Sequence, residues 1–268
     1  MNKKVAILGL GWLGLPFAQH LINRGYTVKG SVSSIEKAGM LQKSGFDAYP
    51  VEISEKGVSG EIEALLRNID YLIIMIPPGL RKNTGSDYVL KMAQLLEKVK
   101  NSTVQNLVLV SSSAVYADTQ GKVSESDYPQ PQTNKAKQLL QVEELFINCE
   151  GLNTTVVRFG GLFGGNRKPV RYLAGRKDLA NGKAPVNLIH RVDCIGILTE
   201  VLKREAFGHT FNAVNPLHPL KATYYTKKAK ELSLEPPTFA ATLSEEIFKQ
   251  IDSEKVKQLL EYEFKKPL

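Results

Sequence analysis

Apolar, strand-like runs alternate along the chain with segments in which apolar positions recur at helical spacing. The runs cover Val5 to Leu8, Tyr26 to Val32, Tyr71 to Ile76, Asn106 to Ser112 and Thr154 to Phe159. Strands separated by helices imply a parallel sheet, because parallel neighbours need a crossover connection. Ile73 to Ile76 and Leu107 to Val110 are apolar without alternation, which predicts strands covered on both faces. Phe17, Ala18, Leu21 and Ile22 give one helix an apolar face, and Gly25 can end it. Leu139, Leu140, Val142, Leu145 and Phe146 make a broader stripe on a second helix, which suits packing on the sheet and is also wide enough for contact with a second copy in a homodimer. Beyond residue 160 the texture changes to a glycine-rich loop, Gly160 to Pro169, followed by short helices and a Lys/Glu-rich helical C-terminus. The expectation is an α/β, doubly wound parallel sheet over residues 1–160, with a small mixed lobe over 161–268 that partly returns to the sheet and supplies the substrate side.

Gly9, Gly11 and Gly14 form G-x-G-x-x-G directly after the first strand and at the opening of the first helix. In that context Gly9 permits a tight turn, Gly11 lets backbone approach a pyrophosphate, and Gly14 lets helix and strand pack closely. The helix N-terminus offers amide N–H groups to phosphate, with Trp12 and Leu13 in the loop beside it. This predicts a Rossmann-type site for NAD or NADP. An acidic residue at the end of the second strand would hold the ribose 2′-hydroxyl of NAD. The strand ends instead in Ser31, Ser33 and Ser34, with Lys37 nearby, a set that accepts a 2′-phosphate and therefore favours NADP.

Charge and cysteine usage narrow the partners. The net charge is +8, but Lys227, Lys228, Lys230, Lys255 and Lys257 are scattered along helix surfaces with no aromatic interleaving, so nucleic acid is not an expected partner. The apolar runs are far shorter than the ~20 residues of a membrane span. The opening MNKKVAILGLGWLG runs into the fingerprint and reads as mature sequence. Cys149 and Cys194 are too few for a disulfide framework or a four-cysteine metal site and read as packing residues of a cytoplasmic protein.

At Ser111 to Tyr116, SSSAVY, the chain resembles the extended branch of the short-chain dehydrogenase/reductase superfamily, and most of all its small, atypical epimerase/dehydratase-like members. The resemblance includes the fingerprint, the strand ending in Pro77-Pro78, Val156 to Gly165, Asn187 to Asp193, FNAVNP and the closing DSEKVKQLLEY. It implies cofactor contacts at Pro77, Ser111, Phe159 and Gly160, the last two on the nicotinamide side. It also implies a hydrogen bond from Ser112 to the reacting carbonyl or hydroxyl, with Ser113 as the neighbouring candidate. Short hydroxyl residues also satisfy backbone at strand ends, and that reading stands beside it. Tyr116 is a pocket wall or a reserve proton donor. Asn187, His190 and Asp193 resemble the segment that closes over substrate, although a histidine is often structural and Asp193 is placed to cap a helix over Ile195 to Leu202. Arg158 ends a strand and anchors the sheet or a carboxylate.

The departure from the family concerns its Tyr-x-x-x-Lys pair. In PQTNKAKQLLQVEELF, Lys135 stands where the tyrosine belongs and Leu139 where the lysine belongs. A phenol with a pKa of ~10 trades protons near neutrality only when a neighbouring ammonium lowers it, and leucine has none. Lys135 is a base if desolvated and otherwise an ordinary exposed helical lysine; Tyr128 lies too far upstream to be equivalent. Two functions follow. One is an NADP-linked oxidoreductase, or an epimerase or dehydratase with tightly held cofactor, acting on a small polar molecule at a non-standard site. The other is a non-catalytic sensor of NADP(H).

Overall fold

A computed structural model describes residues 3–79, 87–240 and 247–268. In chain order the elements are β1 (Lys4–Leu8), α1 (Gly14–Ile22), β2 (Thr27–Val32), α2 (Ile35–Lys43), β3 (Asp47–Ser54), β4 (Gly57–Gly60), α3 (Ile62–Leu66), β5 (Tyr71–Ile74), α4 (Tyr88–Lys100), β6 (Asn106–Ser112) and β7 (Gly121–Val123). There follow α5 (Asn134–Ile147), β8 (Asn153–Phe159), β9 (Gly161–Phe163), β10 (Leu188–His190), α6 (Arg191–Lys203), β11 (Thr210–Ala213), α7 (Lys221–Glu231), β12 (Lys249–Ile251) and α8 (Glu254–Leu260).

Eight strands form one sheet in the order β11-β8-β6-β5-β1-β2-β3-β4. β1 pairs parallel with both β2 and β5, β2 with β3, and β5 with β6; β4 turns back antiparallel on β3. The chain steps from β1 to β2 and β3 on one side and returns on the other at β5. The point where strand order reverses therefore lies beside β1, where α/β sheets of this type place their ligand crevice. Val5 to Leu8 and Tyr71 to Ile74 are buried at every position, and a strand whose alternate side chains are all buried is covered on both faces. The expected α/β doubly wound architecture is the one observed.

β5 ends at Ile74 rather than Ile76, since Pro77 and Pro78 have no N–H to offer a neighbouring strand. β3 carries buried Ala48 and Val51 around Pro50 and lacks a clean period, so the apolar pattern passes over it. The two-stranded pairs β9–β10 and β7–β12 are built from three-residue strands, too short to register as a period.

The chain divides into two compact units that are interleaved along the sequence. The first takes the chain up to Ser112, then Gln132–Arg158 and Leu198–Thr210; the second takes Ser113–Pro131, Phe159–Ile197 and Phe211–Leu268.

Candidate functional site

In the first unit the turn after β1 is fixed by short backbone bonds. The Leu10 N–H donates to the Ser31 carbonyl at 2.7 Å and the Gly11 N–H to the Gly9 carbonyl at 2.8 Å. Gly9 has φ +108°, a left-handed region in which a side chain is strained. A β-carbon on Gly14 would lie 2.1 Å from the Gly9 carbonyl oxygen, so helix and strand meet there with no room for one. A β-carbon on Gly11 would meet nothing within 4 Å. The protein itself therefore does not require glycine at position 11, and the open space beside it is what a pyrophosphate would need. Leu13, at the cap position of α1, makes no side-chain cap, which leaves the start of that helix without the usual hydroxyl or carboxylate over its amides.

The second strand was expected to end in Ser31, Ser33 and Ser34; β2 ends at Val32, so only Ser31 belongs to it, and the three serines divide by role. Ser31 is buried, and its hydroxyl accepts the Gly9 N–H at 3.2 Å, tying β2 to the fingerprint turn. Ser34 caps α2, accepting the Lys37 N–H at 3.2 Å, and its hydroxyl donates to Glu36. That bond holds the Glu36 carboxyl below its ordinary range. Ser33 and Lys37 are exposed. Glu36 escaped the sequence reading because it lies in the first turn of α2, past the strand end where a ribose-binding acid is sought. Gly30 escaped as well; a β-carbon there would overlap the Leu10 side chain at 2.5 Å.

At the end of β6 the Ser111 hydroxyl donates to Glu143 of α5. The Arg158 guanidinium of β8 grips the same carboxylate, Nη2 to Oε2 at 2.6 Å and Nε to Oε2 at 3.0 Å. All three side chains are buried, Glu143 to 1% exposure. Arg158 thus anchors a carboxylate, as read from sequence. Glu143 was missed although its position within the apolar stripe of α5 is a visible signal. Ser112 is half-buried, Lys135 is exposed in the first turn of α5, and Leu139 is buried. Pro77 is exposed after β5.

In the second unit Ser113 is buried and opens a single 3-10 turn to Val115. Tyr116 is 1% exposed, and its hydroxyl lies 2.8 Å from the Ser124 carbonyl oxygen and 3.2 Å from Asn212 Oδ1. A phenol so enclosed is a structural tie. Phe159 is buried, and a β-carbon on Gly160 would lie 2.8 Å from the Asn187 carbonyl oxygen, which accepts the Gly161 N–H at 2.8 Å. The Asn187 amide is engaged along the edge of β12, donating to the Lys249 carbonyl at 2.8 Å and accepting the Ile251 N–H at 2.9 Å. It does for β12 what a paired strand would.

The helix cap predicted at Asp193 is corrected. α6 begins at Arg191, so Asp193 lies inside its first turn. His190 precedes the helix, and its Nδ1 accepts the Val192 N–H at 3.1 Å. That bond fixes the neutral ring with its proton on Nε2, and burial pushes the imidazole below its ordinary range. The Asp193 carboxylate is fully buried and accepts from Tyr262 Oη at 2.9 Å and the Lys265 N–H at 2.7 Å.

Among the described residues no helix is long and apolar enough to cross a membrane. A family model described as NAD(P)H-binding matches residues 9–202. Protein YeeZ of Escherichia coli K12 is 35% identical over 268 residues, covering 99% of this chain and 97% of its own. The UDP-glucuronic acid 4-epimerase of Bacillus cereus, solved in complex with NAD, superposes with a TM-score of 0.79 at 20% identity over 98% of this chain and 92% of that one. A short-chain dehydrogenase/reductase superfamily protein of Agrobacterium tumefaciens with bound NAD gives a TM-score of 0.78 at 17% identity, covering 98% and 93%. A glycine turn that excludes side chains at two positions and leaves open space at the third, ahead of an uncapped helix on this sheet, thus agrees with the sequence match: the chain belongs to the NAD(P)H-binding family, on the fold shared by short-chain dehydrogenases and nucleotide-sugar epimerases.

Proposed function

We propose that the chain is an NADP-preferring enzyme that moves hydride between the cofactor and a small polar hydroxyl or carbonyl compound, as an oxidoreductase or in the epimerase/dehydratase manner, without a Tyr-x-x-x-Lys pair. The observation that carries this is the open space beside Gly11 at the uncapped start of α1. Gly9, Gly11, Trp12, Leu13 and Gly14 would hold the pyrophosphate, Pro77 would be a further cofactor contact, and Phe159 and Gly160 would line the nicotinamide side. Exposed Ser33 and Lys37 support the 2′-phosphate, while Ser31 acts through the turn it fastens. The Glu36 carboxylate opposes that preference and is drawn toward Ser34. A reduced nicotinamide supplies hydride when bound; protons come from the chain or from water. Ser112, with Ser113 as its neighbouring candidate, would hydrogen-bond the reacting oxygen, and Lys135 is the candidate base. Tyr116 is left out because its hydroxyl is enclosed. The second reading, a sensor that binds NADP(H) without turnover, is favoured by buried Leu139 where the family keeps its ammonium.

Titrating the purified protein with NADPH and NADH, then supplying aldehydes, ketones and nucleotide sugars while following reduced-cofactor absorbance and isomerised product, tests both. The expected result is tighter NADPH binding and turnover of one substrate class. Lys37→Ala should weaken NADPH at least about tenfold and leave NADH unchanged, since a charge-assisted contact contributes about 1.5–3 kcal/mol. Tighter NADH binding would overturn the preference; firm cofactor binding with no turnover across the panel would leave the sensor.

A further inference from the structure

Within the second unit a hollow of about 190 Å³ is lined by Asp118, Asn181, Asn187, Lys221, Tyr225 and Lys249 together with apolar neighbours. At ~30 Å³ per liquid water it has room for about six waters, or a compound of about as many heavy atoms. Its polar lining consists mostly of donors. Lys249 Nζ donates to the Tyr116 carbonyl at 2.6 Å and pairs with Asp118 Oδ1 at 3.1 Å, which engages two of its three N–H bonds. Among the described residues the Lys221 ammonium has no ion-pair partner and the Tyr225 hydroxyl has no hydrogen-bond partner. Tyr225 is buried to 8% exposure, and burial pushes its phenol up, so it stays protonated and can donate. The Asn187 amide, bound on both sides to β12, forms a rigid part of the wall.

Lys221 is also in an unfavourable place for a cation. It is the first residue of α7, an eleven-residue helix with no acid in its first turn and no side-chain cap. A helix N-terminus favours anions and disfavours lysine. An anion in the hollow would offset the misplaced cation and accept from the Tyr225 hydroxyl. The lining carries two lysines against one aspartate, a surplus of one positive charge that matches a single carboxylate better than a phosphate, which is close to doubly charged at neutral pH. The hollow is also connected to residues expected near the chemistry, because the Asn187 carbonyl bonds the Gly161 N–H next to Phe159 and Gly160.

We propose that this hollow binds the carboxylate of a small hydroxy or keto acid, with Lys221, Lys249 and Tyr225 as its donors. As a carboxylate site it stands by itself; as the seat of the substrate it rests on the enzymatic reading above. Calorimetric titration of the full chain with glycerate, glycerol and inorganic phosphate tests it, with NADPH titrated in parallel. Saturable binding of glycerate, weaker binding of phosphate and none of glycerol are expected. Lys221→Met should weaken glycerate at least about tenfold, the loss of one charged hydrogen bond, and Tyr225→Phe several-fold, while both leave NADPH binding intact. Lys221 is half-exposed and phenylalanine keeps the ring of Tyr225, so neither change removes core packing. Equal binding of glycerol, tighter binding of phosphate, no binding of glycerate, or unchanged glycerate affinity in both variants would overturn the proposal. Failure of NADPH with glycerate still bound would strike the enzymatic reading instead.

Discussion

Gly11 and Gly14 lie three residues apart and are glycine for opposite reasons. Gly14 has no room for a β-carbon because the Gly9 carbonyl occupies its place, whereas Gly11 faces open space. Gly14→Ala should therefore cost stability, about 1–3 kcal/mol by the measure of overpacked cores, read from denaturant unfolding. Gly11→Leu should melt like the parent and lose both dinucleotides in titration. If Gly11→Leu binds them normally, the assignment of that open space is wrong. The fingerprint was legible in the sequence because its demands are local to one turn. The serines at the end of β2 and just after it were not, since a hydroxyl's role depends on what stands opposite: Ser31 faces the Gly9 N–H across twenty-two positions of sequence, and Ser34 serves α2. Tyr116 and Asn187 show the same limit, for each has its polar group engaged by partners that no motif displays.

At the scale of elements, α5 shows how a helix can keep its place in the sheet while its chemistry changes. Its apolar stripe was readable, and so was the missing tyrosine. Its attachment depends on Glu143, which receives Ser111 from β6 and Arg158 from β8. These are neighbouring strands, so a single carboxylate joins two strands and a helix. A buried ion pair is expensive to half-remove, because the remaining charge keeps its desolvation penalty without its partner. Glu143→Leu should lose about 3–5 kcal/mol in chemical denaturation, and adding Arg158→Met should recover much of that loss. A single change under about 1 kcal/mol would show that the pair contributes little. β1, β5, β6 and β8 were legible from their apolar runs; β9, β10 and β12 were not, since three residues cannot display a period.

For the whole molecule, acid stability should be governed in part by two rings of the second unit. His190 accepts a backbone N–H on Nδ1, His218 has Nδ1 3.0 Å from the Val186 carbonyl oxygen, and burial holds both below the ordinary histidine range. In the unfolded chain they take up protons at about pH 6.5, so across the window below that value the unfolded state binds more protons. Their contribution is present above the unfolded value and is lost as pH falls toward the folded one. Denaturant unfolding at about pH 7.5 and about pH 5.5 should show a smaller decline for His190→Gln/His218→Gln than for the parent. Equal declines would mean other groups govern this range.

The change of texture near residue 160 was visible in the sequence, and a partial return of the later chain to the sheet was expected; the strand that makes it, β11, was not identified, because four residues show no period. Since β11 completes the order beyond β8, a fragment stopped at residue 160 would leave the flank of β8 bare, six of its seven side chains being of the buried kind. An uncovered strand of that composition is a template for other chains. Expressed alone, such a truncation should precipitate or form open-ended polymers instead of yielding a smaller cofactor-binding protein.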